Sequence, residues 1–166
     1  MSTCTEVQLA IYGGQPIRED YLPYGRQWID EEDIDRVVNI LRGDYLTTGP
    51  EIERFEREIA DYVGAKYSVA FANGTAALHA ACFAADIKKG DEVITTPLTF
   101  AASGNCILYQ GGKPVFADIN LQTYNIDPQI IEALITEKTK AIIPVDFTGL
   151  PIDIDAINKI AENNNL

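Results

Sequence analysis

The sequence predicts an α/β fold: three layers, α/β/α, around a mostly parallel sheet. From Lys66 onward, four short apolar runs each lead into a stretch of helical spacing. That order builds parallel sheets covered by helices. The apolar runs are near-continuous rather than alternating, as expected for strands buried on both faces. The chain has 166 residues, 46% of them hydrophobic and 23% charged, which supports about one domain with its own core.

Residues 1–28 read as an irregular arm, because Gly13-Gly14, Pro16, Pro23 and Gly25 interrupt any periodicity. Residues 29–64 read as two amphipathic helices. The first has Asp30 as its N-cap, acidic residues Glu31, Glu32 and Asp33 at the positive helix end, and an apolar stripe of Ile34, Val37, Ile40 and Leu41. Gly43 is placed to stop it. The second opens with Pro50, carries Ile52, Phe55, Ile59, Tyr62 and Val63 at helical spacing, and ends at Gly64.

Residues 65–166 carry the strand–helix rhythm. Strands are predicted at Tyr67–Phe71, Glu92–Thr95, Pro114–Ala117 and Ala141–Val145. The helices that follow them are predicted at Thr75–Ala85, Phe100–Tyr109, Pro128–Ile135 and Ile154–Glu162. The last segment, Asn163-Asn164-Asn165-Leu166, comes where another strand would be due. From pattern alone it reads equally as a natural end or as a longer protein cut short.

Thirteen Lys and Arg face twenty-five Asp and Glu, a net charge of −12, which excludes a general nucleic-acid or anionic-membrane binder. Cys4, Cys82 and Cys106 are an odd, widely spaced set that makes neither a zinc pattern nor a disulfide framework. A single histidine, His79, excludes a His-rich metal site; on a packed helix it reads as structural. Residues 1–14 lack a basic stretch followed by an apolar one, and no apolar run approaches the roughly 18 residues that span a bilayer. A reducing cytoplasm is the expected setting.

The most informative segment runs from Tyr67 to Leu78, where an apolar strand leads through Asn73-Gly74-Thr75 into a helix of small residues. Such a turn aims free N–H groups and the positive helix end at one spot, an anion site; it is also what an ordinary capped turn looks like. Asn73-Gly74-Thr75 matches a glycosylation acceptor, but a buried turn without a secretion signal argues against that use. Thr95 to Ser103 lies at the carboxyl end of the next strand, where open α/β sheets bind ligands. Phe100 there is either core or a flat face for a ring-shaped ligand. In Ile143 to Gly149, Asp146 is either a ligand contact or a loop cap.

Asn73-Gly-Thr-Ala-Ala-Leu, Gly90-Asp-Glu-Val-Ile-Thr-Thr-Pro, Thr99-Phe100, Val115-Phe-Ala-Asp and Asn125-Ile-Asp together resemble the DegT/DnrJ/EryC1/StrS family of pyridoxal-phosphate-dependent nucleotide-sugar aminotransferases. The resemblance runs in register from Tyr24 to the end. It implies the N-terminal part of a fold type I aminotransferase large domain. Leu46-Thr47, Ile94-Thr-Thr-Pro, Thr139-Lys-Ala-Ile and Val145-Asp-Phe-Thr-Gly149 are most similar to the branch acting in the pseudaminic-acid pathway. There the product is UDP-4-amino-4,6-dideoxy-N-acetyl-altrosamine, made from the 4-keto sugar with glutamate as amino donor.

The resemblance implies roles by position. Gly74, Thr75 and Ala76 would hold the pyridoxal 5′-phosphate phosphate, and Phe100 would stack on its ring. Tyr24, Asp44, Tyr45, Leu46, Thr47 and Gly74 would contact the sugar nucleotide. A homodimer is implied, and no metal. The family's Schiff-base lysine, and the Asp facing the ring nitrogen, would lie beyond residue 166. Lys66, Lys88, Lys89, Lys113, Lys138, Lys140 and Lys159 match neither context. The expectation is therefore an N-terminal half with no catalytic residue of its own, inactive alone and holding the cofactor weakly. Two alternatives stand beside it. One is a sugar 3-dehydratase of the same family, in which histidine replaces the lysine. The other is a non-catalytic binding module that keeps the fold.

Overall fold

The computed structural model describes residues 8–166; Cys4 and the first seven residues of the arm lie outside them. The chain divides into two compact units, residues 1–50 and 51–166. The division falls after Pro50, the first residue of the second amphipathic helix.

In the first unit, helix α1 spans Glu31–Arg42. The Asp30 side chain accepts the N–H groups of Glu32 and Asp33, and the Asp33 carboxylate accepts the Asp30 N–H in return. This reciprocal capping satisfies donors that the first helical turn leaves orphaned. Its apolar stripe is solvent-facing in this chain, with Val37 and Leu41 both more than half exposed.

The second unit begins with α2, Pro50–Val63, followed by α3, Gly74–Ala84. Three parallel strands then alternate with helices: β1 Glu92–Thr95, α4 Ala102–Tyr109, β2 Lys113–Phe116, α5 Pro128–Leu134, β3 Thr139–Ile143 and α6 Ile154–Asn164. The strand order is β2-β1-β3, and β1 pairs in parallel with both neighbours. Successive β1 residues point to opposite faces, as the two-residue period of a strand requires. Val93 packs with Leu78, Cys82, Ile87, Cys106 and Ile107 on the α3 and α4 side. Ile94 packs with Ala117, Ile126, Ile131 and Ile157 on the α5 and α6 side. The arrangement is the predicted helix–sheet–helix sandwich.

One predicted strand does not form. Tyr67–Phe71 forms no strand, because no strand of the described residues runs beside it to complete a ladder. Tyr67 and Val69 are mostly exposed. The Ala70 N–H turns instead to the Glu56 carboxylate of α2, at 2.8 Å. The last strand also sits two residues earlier than the predicted Ala141–Val145. Pairing starts at Thr139, beside the Glu92 N–H bond to the Lys138 carbonyl, and stops before Pro144, which has no N–H to donate.

At the amino ends of the strands, the Glu92 carboxylate ties all three together. It accepts from the Lys113 ammonium at 2.9 Å and from the Thr136 hydroxyl at 2.8 Å. These two hydrogen bonds, that from Lys113 foremost, hold its carboxyl below the usual carboxylate range. Cys82 and Cys106 are free and buried in the core. Burial, then hydrogen bonding with Cys106, pushes the Cys82 thiol up to about 12, so it packs as a small apolar group rather than a nucleophile. Among the described residues no helix is long and apolar enough to cross a membrane.

Candidate phosphate and ring site

The topology places the site before any side chain is considered. The helix after β1 lies on one face of the sheet, while the helix after β3, the strand beside it, lies on the other. Neighbouring strands whose connections leave to opposite faces open a crevice at their carboxyl ends, where α/β sheets bind ligands. Here the crevice lies between Thr95 and Ile143. The Thr95 hydroxyl, fully buried, donates to the Ile143 carbonyl at 2.8 Å.

Helices α3 and α4 aim their N-terminal ends towards that edge. Both finish at the amino edge of the sheet, where a β-carbon on Gly111 would lie 3.6 Å from the Lys89 nitrogen. They therefore start away from it. Helix α3 starts directly at Gly74, with Asn73 as its N-cap. The Asn73 side chain accepts the Ala76 N–H at 2.9 Å, and its carbonyl accepts the Ala77 N–H. The Gly74 and Thr75 N–H groups precede the first intrahelical bond, so they remain donors for an outside acceptor. A β-carbon built on Gly74 meets nothing within 4 Å, which leaves room for an anion against the backbone. The family resemblance implied that Gly74, Thr75 and Ala76 share this task. The structure brings all three to one turn but engages the Ala76 N–H with Asn73.

Phe100 lies in the turn between β1 and α4. The residue is 77% exposed, so it is not part of this chain's own core and its aromatic face is free. The helix predicted from Phe100 begins at Ala102. Within this turn the buried Thr96 hydroxyl accepts the Leu98 N–H at 3.3 Å, and the Thr99 and Ser103 hydroxyl oxygens lie 2.9 Å apart. These residues belong to the Thr95–Ser103 segment singled out in the sequence, where none was given a role of its own. Their signal was there, in four hydroxyl side chains within nine positions at the end of a strand.

Across the crevice, Asp146 takes the loop-cap role, because one carboxylate oxygen accepts the Ile152 N–H at 2.9 Å. Asn125, noted in the sequence only as the start of the Asn125-Ile-Asp motif, is buried. Its amide donates to the carbonyls of Leu150 and Pro151 and accepts the Phe147 N–H. His79, exposed on α3, meets the Tyr109 ring edge-on at 5.1 Å. Tyr24, Asp44, Tyr45, Leu46 and Thr47 belong to the first unit, where each is exposed. No group of three or more His, Cys, Asp or Glu side chains among the described residues is arranged to hold a metal.

The donors, the space beside Gly74 and the open Phe100 face suit a phosphorylated aromatic ring. Residues 27–166 match the DegT/DnrJ/EryC1/StrS aminotransferase family, and the chain belongs to that family. It is 47% identical over 125 residues to the UDP-2-acetamido-2-deoxy-3-oxo-D-glucuronate aminotransferase of Pseudomonas aeruginosa, covering 75% of this chain and 35% of that protein. Among solved structures, the pyridoxal-phosphate form of a sugar aminotransferase from Streptococcus pneumoniae, Spr1654, superposes with a TM-score of 0.81. It is 36% identical, covering 86% of this chain and 36% of that one. Helicobacter pylori PseC, an aminotransferase involved in the biosynthesis of pseudoaminic acid, superposes at 0.80. It is 33% identical, covering 87% of this chain and 39% of that one. The chain thus spans little more than a third of the length of these relatives.

Proposed function

We propose that this chain is the N-terminal portion of a pyridoxal-phosphate-dependent aminotransferase. The full enzyme moves an amino group from glutamate to a 4-keto-6-deoxy sugar carried on UDP, in pseudaminic-acid biosynthesis. The observation that carries the reading is the Asn73–Ala76 turn, with two unengaged N–H donors, the Thr75 hydroxyl and open space beside Gly74. Bound there, the cofactor supplies the electron sink that transamination needs.

This chain's own residues bind and orient. Gly74 and Thr75 hold the phosphate with backbone N–H groups at the positive end of α3. Ala76 joins them where Asn73 releases its N–H. Phe100 offers a face to the ring. Tyr24, Asp44, Tyr45, Leu46 and Thr47, with Gly74, receive the sugar nucleotide. The UDP and oxo-sugar parts rest on the name of the Pseudomonas relative, whose oxo group is at C3, and the pathway on the likeness to PseC.

In the same reading, residues 65–166 are part of the cofactor-binding domain of a cytoplasmic homodimer. The exposed apolar stripes of α1 and α2, Val37 and Leu41 on one and Phe55 and Tyr62 on the other, suit burial against a second subunit.

Backbone amide NMR of the chain titrated with inorganic phosphate tests the site. Gly74 and Thr75 should shift first and saturably, with Ala76 following. Shifts confined to other residues overturn the assignment.

A further inference from the structure

We propose that the Thr99 and Ser103 hydroxyls form a positioning pair, which holds the Phe100 backbone so that its ring is presented to the bound cofactor. This rests on the reading of Phe100 as the ring-stacking face. The observation behind it is an oddity at the start of α4. The N-cap position is Ala101, which has no side-chain oxygen and makes no cap bond. The first turn is closed instead between Thr99, just before Phe100, and Ser103, the second residue of α4. Thr99 Oγ1 and Ser103 Oγ meet at 2.9 Å, and the Ser103 N–H donates to the Phe100 carbonyl at 3.1 Å. One turn further on, the Cys106 thiol donates to the Ser103 carbonyl at 3.3 Å. Ser103 is therefore anchored in the core at 6% exposure while Phe100, three residues earlier, is 77% exposed.

An exposed phenylalanine on a short turn has no packing to fix it. Its backbone is fixed only by the bonds that close the turn. A ring held in place before the ligand arrives loses less conformational freedom on binding than a mobile one. A plain helix cap at position 101 would stabilise α4 equally well. It would leave Phe100, which precedes it, outside the closed turn. The Ser103 N–H bond to the Phe100 carbonyl already closes the turn around Phe100, and the Thr99–Ser103 hydroxyl contact adds a second bond that spans it.

The test compares Thr99→Val, Ser103→Ala and the conservative Thr99→Ser in the full 166-residue chain, with Phe100→Ala as reference. Two quantities are read: the aromatic carbon relaxation of Phe100 in the ligand-free chain, and the affinities for pyridoxal phosphate and for inorganic phosphate. Thr99→Val and Ser103→Ala should mobilise the Phe100 ring. They should weaken pyridoxal phosphate by about five- to tenfold, the effect of one lost hydrogen bond, with inorganic phosphate unchanged. Thr99→Ser, which keeps the hydroxyl, should behave as the parent. A pair that only stabilises α4 would move both ligands together or neither. Unchanged Phe100 relaxation in Thr99→Val and Ser103→Ala overturns the proposal. An unchanged ratio of pyridoxal phosphate to phosphate affinity in Phe100→Ala overturns the stacking role itself, while the relaxation data still decide what the hydroxyls do.

Discussion

The hydroxyl of Thr95 and the carbonyl of Ile143 meet at 2.8 Å where β1 and β3 end. They do so at the point where the two following helices part to opposite faces of the sheet. This bond closes the floor of the crevice and joins the Phe100 turn to the Asp146 loop.

Replacing Thr95 with valine keeps the shape and removes the donor. The Thr95 side chain is fully buried, so the variant leaves the Ile143 carbonyl without this donor. A loss of about 1–3 kcal/mol is expected, measured by urea unfolding. Faster amide exchange at Phe147 and Gly149 should accompany it, with little change at Val93.

Asn125 bonds the 147–151 loop from its buried side chain through both amide groups. Asn125→Leu strands two carbonyls and one N–H, and should cost about 2–4 kcal/mol. The same change at exposed Asn163 should leave the urea midpoint where it was.

Glu92 gives the fold a pH dependence of known sign. Hydrogen bonds from Lys113 and Thr136 depress its folded pKa. Its contribution is therefore fully present above the unfolded carboxylate value of about 4.3. It is lost as the pH falls through the lower, folded value. Glu92→Gln should flatten the decline in urea midpoint below about pH 4.3. An identical acid limb in the variant would refute the role given to this carboxylate.

Gly112 is a packing constraint. An added β-carbon would lie 2.9 Å from Ile87 Cγ2 and 3.0 Å from Ile107 Cγ2. Both side chains are buried in the same cluster and have nowhere to move. Gly112→Ala should destabilise by about 1–3 kcal/mol, whereas Gly25→Ala, with nothing within 4 Å, should not.

No lysine of this chain should bond covalently to pyridoxal phosphate in stoichiometric amount. All seven are exposed, and Lys88 is held above the usual lysine range, first by its hydrogen bond to Asp86. A charged ammonium cannot attack an aldehyde, and burial or a neighbouring cation is what makes it neutral. Borohydride reduction followed by peptide mass spectrometry should find no single lysine fully labelled.

The amphipathic period of α1 and α2, the Asp30 cap of α1, the strand–helix rhythm from Glu92 onward, and the Asn73-Gly74-Thr75 turn were all legible in the sequence. Each is a local matter: helical spacing, a capping side chain and a glycine act within a few residues of themselves. What the sequence could not decide is pairing. Tyr67–Phe71 has the composition of a strand, yet a strand exists only where another backbone runs beside it. Phe100 could be core or face until the fold left its ring open. Asp146, Asn125 and the Thr99–Ser103 pair took their roles from groups that the chain path brings to them. The Thr95–Ile143 bond joins residues 48 positions apart. Such contacts depend on how the strands order themselves, β2-β1-β3, and that order is set by burying both faces of the sheet at once, which no local stretch of sequence encodes.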